Sequence, residues 1–150
     1  MRASRPPRKN ALYRRGWRLR YQGFGEHGEE ALRRLAAVDP GHARNICEFI
    51  FGTVWSRPHL SLKTRELIVL GVATALDKPN EVELHARAAL RRGATRKEIV
   101  ETIVQVAPYA GFPVTNHGLL AAQRAFDAAE RERDARPVAG RPRRRRRARA

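Results

Sequence analysis

Apolar residues recur at helical spacing along most of the chain, and no run alternates apolar and polar residues as a half-buried strand would. One helix is predicted to start at Ser61, a good N-cap, and to continue through the apolar run at residues 67–76. Because this run is apolar nearly all round, it predicts the central buried helix of the protein. The pattern as a whole predicts an all-α, single-domain helical bundle of about six helices.

Start and stop signals divide the rest of the chain into further helices. A short amphipathic helix is predicted before Pro40, and a second one between Pro40 and Pro58. In that second helix, the period of an α-helix places four apolar side chains on one side. They are Ile46, Phe49, Ile50 and Val54.

The helices that follow carry capping signals. Asn80 and Glu83 are spaced like a capping box for one helix, which is predicted to stop at Gly93. Thr95 and Glu98 form the same pattern at the start of the next helix. A last helix is predicted to begin near residue 113 and to fray into the C-terminal tail.

The net charge of +16 is concentrated at the two ends of the chain. Residues 1–20 contain eight Lys or Arg and no acidic residue, and residues 131–150 contain ten Arg and two acidic residues. The stretch between them holds thirteen basic and thirteen acidic residues and is therefore neutral. A single folded unit in the middle of the chain, flanked by basic ends, explains this distribution.

We therefore divide the chain into a basic N-terminal arm at residues 1–22, a helical domain at residues 23–132 and a disordered Arg-rich tail at residues 133–150. The tail can bind polyanions through counterion release, or it can simply keep the protein in solution. No aromatic residue lies among the arginines after Phe126, so the tail has no stacking platform for single strands. The N-terminal arm mixes aromatic residues with arginine and can equally pack on the core or on a neighbouring subunit.

The sequence predicts a cytoplasmic protein with no membrane contact. Its single cysteine, Cys47, cannot form an internal disulfide, which fits a reducing compartment. No secretory signal is recognisable, and the longest apolar run is about half the roughly 20 residues that a membrane span needs.

Two ionisable residues, Glu66 and His85, lie among apolar positions of two different helices. Glu66 shares a helix face with Leu62, Val69, Leu70 and Ala73, and His85 lies beside the stripe of Val82, Ala86, Ala89 and Leu90. Buried ionisable groups are costly alone and tolerable when paired, so we predict a hydrogen bond between Glu66 and His85. That bond leaves the other ring nitrogen free for a substrate, with Glu81 one turn away as a second partner. A purely structural pair that locks two helices together explains the same pattern.

Other kinds of chemistry lack a signature in this sequence. There is no His-Glu-x-x-His pattern and no cysteine pair, so no metal site is predicted. There is also no Gly-x-Ser-x-Gly nucleophile motif and no glycine-rich phosphate loop.

Three stretches resemble the carboxymuconolactone decarboxylase family, which shares its fold with the alkylhydroperoxidase D-like proteins. They are "WSRP" from Trp55, "ELHARAALRRGAT" around His85, and "YAGFP" from Tyr109. The resemblance covers about residues 49–126. It implies an all-α protein that forms a homo-oligomer, commonly a trimer or hexamer.

The resemblance also distinguishes two kinds of chemistry. The peroxidase branch of this fold uses a Cys-x-x-Cys pair followed four residues later by a histidine, and those two positions are Lys78 and Glu81 here. Without thiols, disulfide-relay peroxidase chemistry is not expected. The decarboxylase branch implies a cofactor-free carboxy-lyase that decarboxylates or isomerises a small acidic lactone, a reaction of aromatic compound catabolism. In that chemistry His85 donates a proton and Glu66 orients it.

The same resemblance suggests which residues surround a substrate. Arginine binds carboxylates through two parallel hydrogen bonds, and aromatic side chains can wall a pocket. The predicted substrate-binding residues are Arg57, Arg65, Arg87, Trp55, Glu81, Tyr109 and Phe112. The pathway decarboxylases often read Thr-Arg-Ser where this chain reads Thr64-Arg65-Glu66, so that Glu66 stands in place of the serine. A family member with a different or lost activity therefore remains an alternative, as does a polyanion-binding protein.

Overall fold

The computed structural model describes residues 10–135, and this part of the chain contains only helices and their connections. The predicted all-α fold is confirmed. The helices are α1 (Ala11–Val38), α2 (Pro40–Asn45), a π-helix (Ile46–Val54), α3 (Leu62–Ala75), α4 (Pro79–Arg91), α5 (Arg96–Val104), α6 (Ala107–Ala110) and α7 (Phe112–Asp134).

Two hydrophobic clusters hold the helices together around α4. The larger cluster joins α3, α4, α5 and α7 and includes Leu70, Val82, Ile99 and Ile103, all fully buried. The second cluster consists of Phe24, Phe51, Trp55 and Ala88, and it packs α1 and the π-helix against the other side of α4. His85 lies at this second cluster, since its ring contacts Phe24 and Trp55.

Helix α1 runs through the boundary at residues 22/23 that the charge distribution suggested. Its first half packs directly on the π-helix, because Gly16 lies so close that an added Cβ would be 1.8 Å from the Cys47 carbonyl oxygen. The sequence left open whether the N-terminal segment packs on the core or on a neighbouring subunit, and in the structure this part of it packs on the core. At Gly25 the backbone leaves the helical region (φ 58, ψ −152) and divides α1 into two parts.

The side chains of the π-helix do not face where the sequence predicted. Phe49, Ile50 and Val54 are exposed, Phe49 to 63%, whereas Cys47, Phe51 and Trp55 are buried. The prediction assumed α-helical spacing, but each turn of a π-helix takes in an extra residue and so rotates the side chains that follow it. Of the four residues of the predicted apolar face, Ile46 is partly buried against the core, and the prediction was wrong for the other three.

Most predicted helix ends are confirmed. The Ser61 hydroxyl accepts a hydrogen bond from Thr64 N at 3.0 Å, and Gly93 ends its helix with φ 82. Thr95 and Glu98 form a reciprocal capping box. The capping box predicted at the start of α4 was wrong, because α4 begins at Pro79 after Lys78, and no side chain caps it.

Helix α3 is buried on one side and exposed on the other. Leu70 and Ala73 lie in the core, whereas Ile68, Val72 and Leu76 are exposed in the single chain. Nowhere in residues 10–135 is a helix long and apolar enough to cross a membrane. Helix α7 extends to Asp134, and the remainder of the predicted tail, residues 136–150, lies outside the described residues.

Candidate active site

The predicted pair between Glu66 and His85 is present in the structure. Glu66 projects from α3 into the core and is fully buried. Its Oε2 lies 2.7 Å from His85 Nδ1, and its Oε1 lies 2.8 Å from Nε of Arg92. The Glu66 carboxylate therefore has a cationic or hydrogen-bonding partner on each oxygen.

His85 lies in an aromatic corner between α4, α1 and the π-helix. Its side chain is 12% exposed. Its ring meets Phe24 edge-on at 5.3 Å and lies 6.4 Å from the Trp55 ring, measured between centroids. The second ring nitrogen, Nε2, is 3.8 Å from Glu81 Oε2, whose side chain is largely exposed. With Nδ1–H donating to Glu66, Nε2 is the nitrogen that can exchange protons with a substrate.

Arg92 belongs to this site although the sequence reasoning did not identify it. Its side chain is only 5% exposed, and its Nη2 donates a hydrogen bond of 2.8 Å to the Leu19 carbonyl. Burial lowers the pKa of Arg92, and the nearby Glu66 carboxylate opposes that shift. The missed signal is spacing: Arg92 follows His85 by seven residues, which is two helical turns and hence the same helix face.

A second buried arginine, Arg20, supports the aromatic corner. It donates to the Gly28 carbonyl, lies 3.7 Å from Glu29 Oε2, and has its guanidinium 5.9 Å from the Phe24 ring centroid. Burial is the main cause of the lowered pKa of Arg20. These contacts join the two halves of α1 across the break at Gly25 and hold Phe24 beside the histidine.

Two of the three arginines predicted to bind substrate carboxylates, Arg65 and Arg87, have other partners for their side chains. Arg65 donates to the Arg57 carbonyl at 2.9 Å and so ties the turn before α3 to the helix. Arg87 forms an ion pair with Glu132 on α7. Within the described part of the chain, no hydrogen bond or ion pair connects these three arginines to the Glu66–His85 pair.

The aromatic residues predicted to wall the pocket divide into two groups. Trp55 is buried, packs against Phe51 with the two rings tilted by 46° and 5.0 Å between centroids, and lies beside the histidine. Tyr109 and Phe112 are 82% and 74% exposed and flank the turn at Gly111. In the single chain they do not enclose a pocket.

The geometry defines an all-α protein with a buried carboxylate–imidazole pair beside an aromatic cluster. In residues 10–135, no three His, Cys, Asp or Glu side chains are arranged to hold a metal ion. The sequence pattern of the Carboxymuconolactone decarboxylase family matches residues 40–124, and the chain belongs to this family.

Three relatives show how far the similarity extends. The chain is 34% identical over 115 residues to a 4-carboxymuconolactone decarboxylase of Acinetobacter baylyi, and the matched stretch covers 76% of this chain and 86% of that protein. It is 32% identical over 117 residues to the nitrosuccinic acid decarboxylase npaB of Metarhizium robertsii, covering 77% and 82%. An uncharacterized 15.0 kDa protein of Paracoccus denitrificans is 33% identical over 104 residues, covering 67% and 77%. Two relatives named as decarboxylases support a decarboxylase role for the chain.

Proposed function

We propose that this protein is a cofactor-free carboxy-lyase that decarboxylates, or isomerises, a small acidic lactone, with His85 as the proton donor. The observation that carries this proposal is the 2.7 Å contact between His85 Nδ1 and the fully buried Glu66 carboxylate. That contact fixes the ring and leaves Nε2 available at the exposed edge of the site, near Glu81. General acid catalysis needs a proton donor held in this way.

The chemistry of carboxymuconolactone matches these groups. Its leaving carboxylate sits next to an alkene conjugated with the lactone carbonyl. When the bond to the carboxylate carbon breaks and carbon dioxide leaves, the electron pair moves through the alkene onto the carbonyl oxygen as a dienolate. Nε2–H of His85 then delivers a proton to carbon, the dienolate collapses to the lactone, and the ring regains its proton from water. Glu66 holds the ring and stabilises its charged form.

Substrate binding requires residues in addition to Glu66 and His85. We propose that Trp55 forms one wall of the pocket, because it lies beside the histidine. The binding roles of Arg57, Arg65, Arg87 and Glu81 remain predictions, as do the absence of peroxidase activity and the cytoplasmic location.

We also propose that the protein is a homo-oligomer, a trimer or hexamer. The single chain exposes large apolar side chains on α3 and around the start of α7, an area that a monomer in water does not favour. They include Ile68, Val72, Leu76, Tyr109 and Phe112. Association over this area would cover Tyr109 and Phe112 and allow them to line a site.

Polyanion binding by the basic ends is a second candidate function. It is favoured by one observation: the ten arginines among residues 131–150, with only two acidic residues beside them. Such binding adds to the enzymatic role and does not compete with it.

The proposed function is tested with His85→Gln on freshly generated 4-carboxymuconolactone, followed by ultraviolet absorbance. Glutamine keeps hydrogen-bonding capacity but cannot shuttle protons, so turnover should fall by about a hundredfold or more. Glu66→Gln should cause a smaller loss. His117→Gln is the matched control, because His117 is an exposed histidine that also pairs with a carboxylate, that of Asp77 at 2.8 Å. Full activity in His85→Gln would refute the catalytic assignment, and an inactive parent protein would refute the substrate.

A further inference from the structure

We propose that Arg92 is a positioning residue that keeps the Glu66 carboxylate charged and aligned while His85 gives up and regains its proton. This inference rests on the proposed function of the Glu66–His85 pair. It concerns a residue that touches neither the reacting atoms nor the exposed edge of the histidine ring, and it assigns that residue a part in each proton transfer.

Arg92 binds three parts of the structure at once. Its Nε lies 2.8 Å from Glu66 Oε1, its Nη2 donates to the Leu19 carbonyl at 2.8 Å, and its guanidinium lies 5.5 Å from the Trp55 ring centroid. Gly23 makes room for this arrangement, because a Cβ added there would be 2.6 Å from Arg92 Nη2. The guanidinium is thus fixed between α1, the π-helix and the carboxylate.

The charges around the pair explain why this cation is needed. Within residues 10–135, the ionisable groups that pair with His85 are Glu66 from α3 and Glu81 from its own helix, and its ring contacts are the neutral rings of Phe24 and Trp55. When the ring is protonated, it compensates the buried carboxylate. When Nε2 has given its proton away, Glu66 still accepts from Nδ1–H, but without Arg92 it would be a buried anion with no cation beside it, which is unfavourable.

Arg92 removes this penalty because its charge does not depend on the proton that His85 transfers. The carboxylate then has a cation before and after the transfer, and the proton is not trapped on the ring by the need for a counter-ion. Neither Nε of Arg92 nor Oε1 of Glu66 makes a hydrogen bond of good geometry, so their contact acts as an ion pair.

A competing interpretation is that Arg92 binds a substrate carboxylate directly. Its Nη1 is buried and has no hydrogen-bond partner within the described chain. The two interpretations differ in kinetics, since a substrate-binding arginine acts mainly on KM and a positioning arginine acts mainly on kcat.

The neighbouring Arg91 provides a matched control. Its side chain is 33% exposed, and its guanidinium contacts the Gly23 carbonyl at 3.4 Å and Glu132 at 3.2 Å. It therefore shares with Arg92 a contact to the backbone of α1, but it does not contact Glu66. If the N–H signal or kcat changes in Arg92→Gln and does not change in Arg91→Gln, the effect comes from the contact with the Glu66 carboxylate.

The first measurement needs no substrate. The imidazole N–H that bonds to the buried carboxylate should give a low-field proton NMR signal, assigned by its absence from His85→Gln. We expect Arg92→Gln to shift this signal strongly or abolish it, and Arg91→Gln to leave it in place. If the signal in Arg92→Gln coincides with that of the parent protein, Arg92 does not position Glu66 and the proposal is wrong.

Arg92→Lys covers the case in which Arg92→Gln does not fold. A lysine keeps the charge, but its single ammonium group cannot reach both Glu66 and the Leu19 carbonyl in the same way. We therefore expect an intermediate change in the N–H signal. A signal identical to the parent's would overturn the assignment of a positioning role to the guanidinium.

The second measurement separates kcat from KM on 4-carboxymuconolactone. Arg92→Gln should lower kcat by about tenfold or more, less than His85→Gln, with KM nearly unchanged. A raised KM with an unchanged kcat would show substrate binding instead and would refute the proposal. If the parent protein does not turn over the lactone, the proposed function fails, and the NMR comparison alone decides the role of Arg92.

Discussion

Replacing Glu66 by leucine should destabilise the protein far more than its loss of two contacts suggests. In Glu66→Leu the shape of the side chain is roughly kept, but Arg92 remains 95% buried with no counter-ion, since its side chain is 5% exposed. Leaving one member of a buried ion pair alone costs about 3–5 kcal/mol. For a chain of this length, that corresponds to a fall in melting temperature of roughly 10 °C.

The double variant Glu66→Leu/Arg92→Leu separates this electrostatic cost from a loss of packing. It removes both charges together, and replacing a whole buried pair by apolar residues is often close to neutral. We therefore expect it to regain most of the stability and to lie within about 2 kcal/mol of the parent. If adding Arg92→Leu to Glu66→Leu raises the stability, a cavity cannot explain the loss in the single variant, because a second shortened side chain in the core would lower the stability further.

The assay is urea unfolding followed by circular dichroism at one fixed protein concentration, because subunit association would make stability depend on concentration. The control is Glu130→Leu, which breaks an exposed ion pair with Arg96 of 2.6 Å. That substitution should cost no more than about 1 kcal/mol. The reasoning is refuted if Glu66→Leu costs no more than this control, or if the double variant is as unstable as the single one.

Four further predictions concern other parts of the molecule. Thr95→Ala removes the N-cap of α5 and should cost about 1 kcal/mol in thermal unfolding; an unchanged melting temperature would contradict the cap's role. Hydrogen bonds from Lys63 and from Thr95 lower the pKa of Glu98 to about 2. The stability that Glu98 contributes should therefore be full above about pH 4.5 and vanish toward pH 2. A difference in unfolding free energy between the parent and Glu98→Gln that does not change with pH would be inconsistent with this. Deleting residues 136–150 removes eight arginines and no acidic residue, so retention on heparin should drop sharply while the melting temperature stays the same; equal retention would mean that the tail does not carry the affinity. Ile68→Asp should reduce the mass seen by light scattering if α3 forms a subunit interface; a parent protein that is already monomeric at micromolar concentration would exclude the proposed oligomer.

The sequence was sufficient for the all-α fold, for most helix ends and for the central pair. Periodicity and capping residues located α3 and α5, because Ser61 and Thr95 supply local hydrogen bonds that need no tertiary information. The Glu66–His85 pair could be predicted because two ionisable groups among apolar positions have few stable arrangements other than pairing with each other.

The parts that could not be predicted depend on tertiary contacts. Arg20 lies among many other arginines, and nothing local distinguishes it from a solvated one, whereas Arg92 is marked in the sequence only by its spacing of seven residues from His85. The apolar face of the π-helix was wrong because the extra residue per turn has no sequence signature. The exposed positions of Tyr109 and Phe112 could not be foreseen, since the family resemblance gives residue identities and not the surface they meet.

The π-helix also restricts how the chain can change in length. Removing one residue from Ile46–Val54 would restore α-helical hydrogen bonding and rotate the two ends relative to each other by about 100°. Either Cys47 and Phe51 would leave the core, or Trp55 would turn away from His85. Insertions and deletions in homologues should therefore fall in the exposed turn at residues 57–60 and spare the segment before it. A single-codon deletion within the π-helix would be as damaging to the aromatic corner as a substitution of one of the corner's own residues.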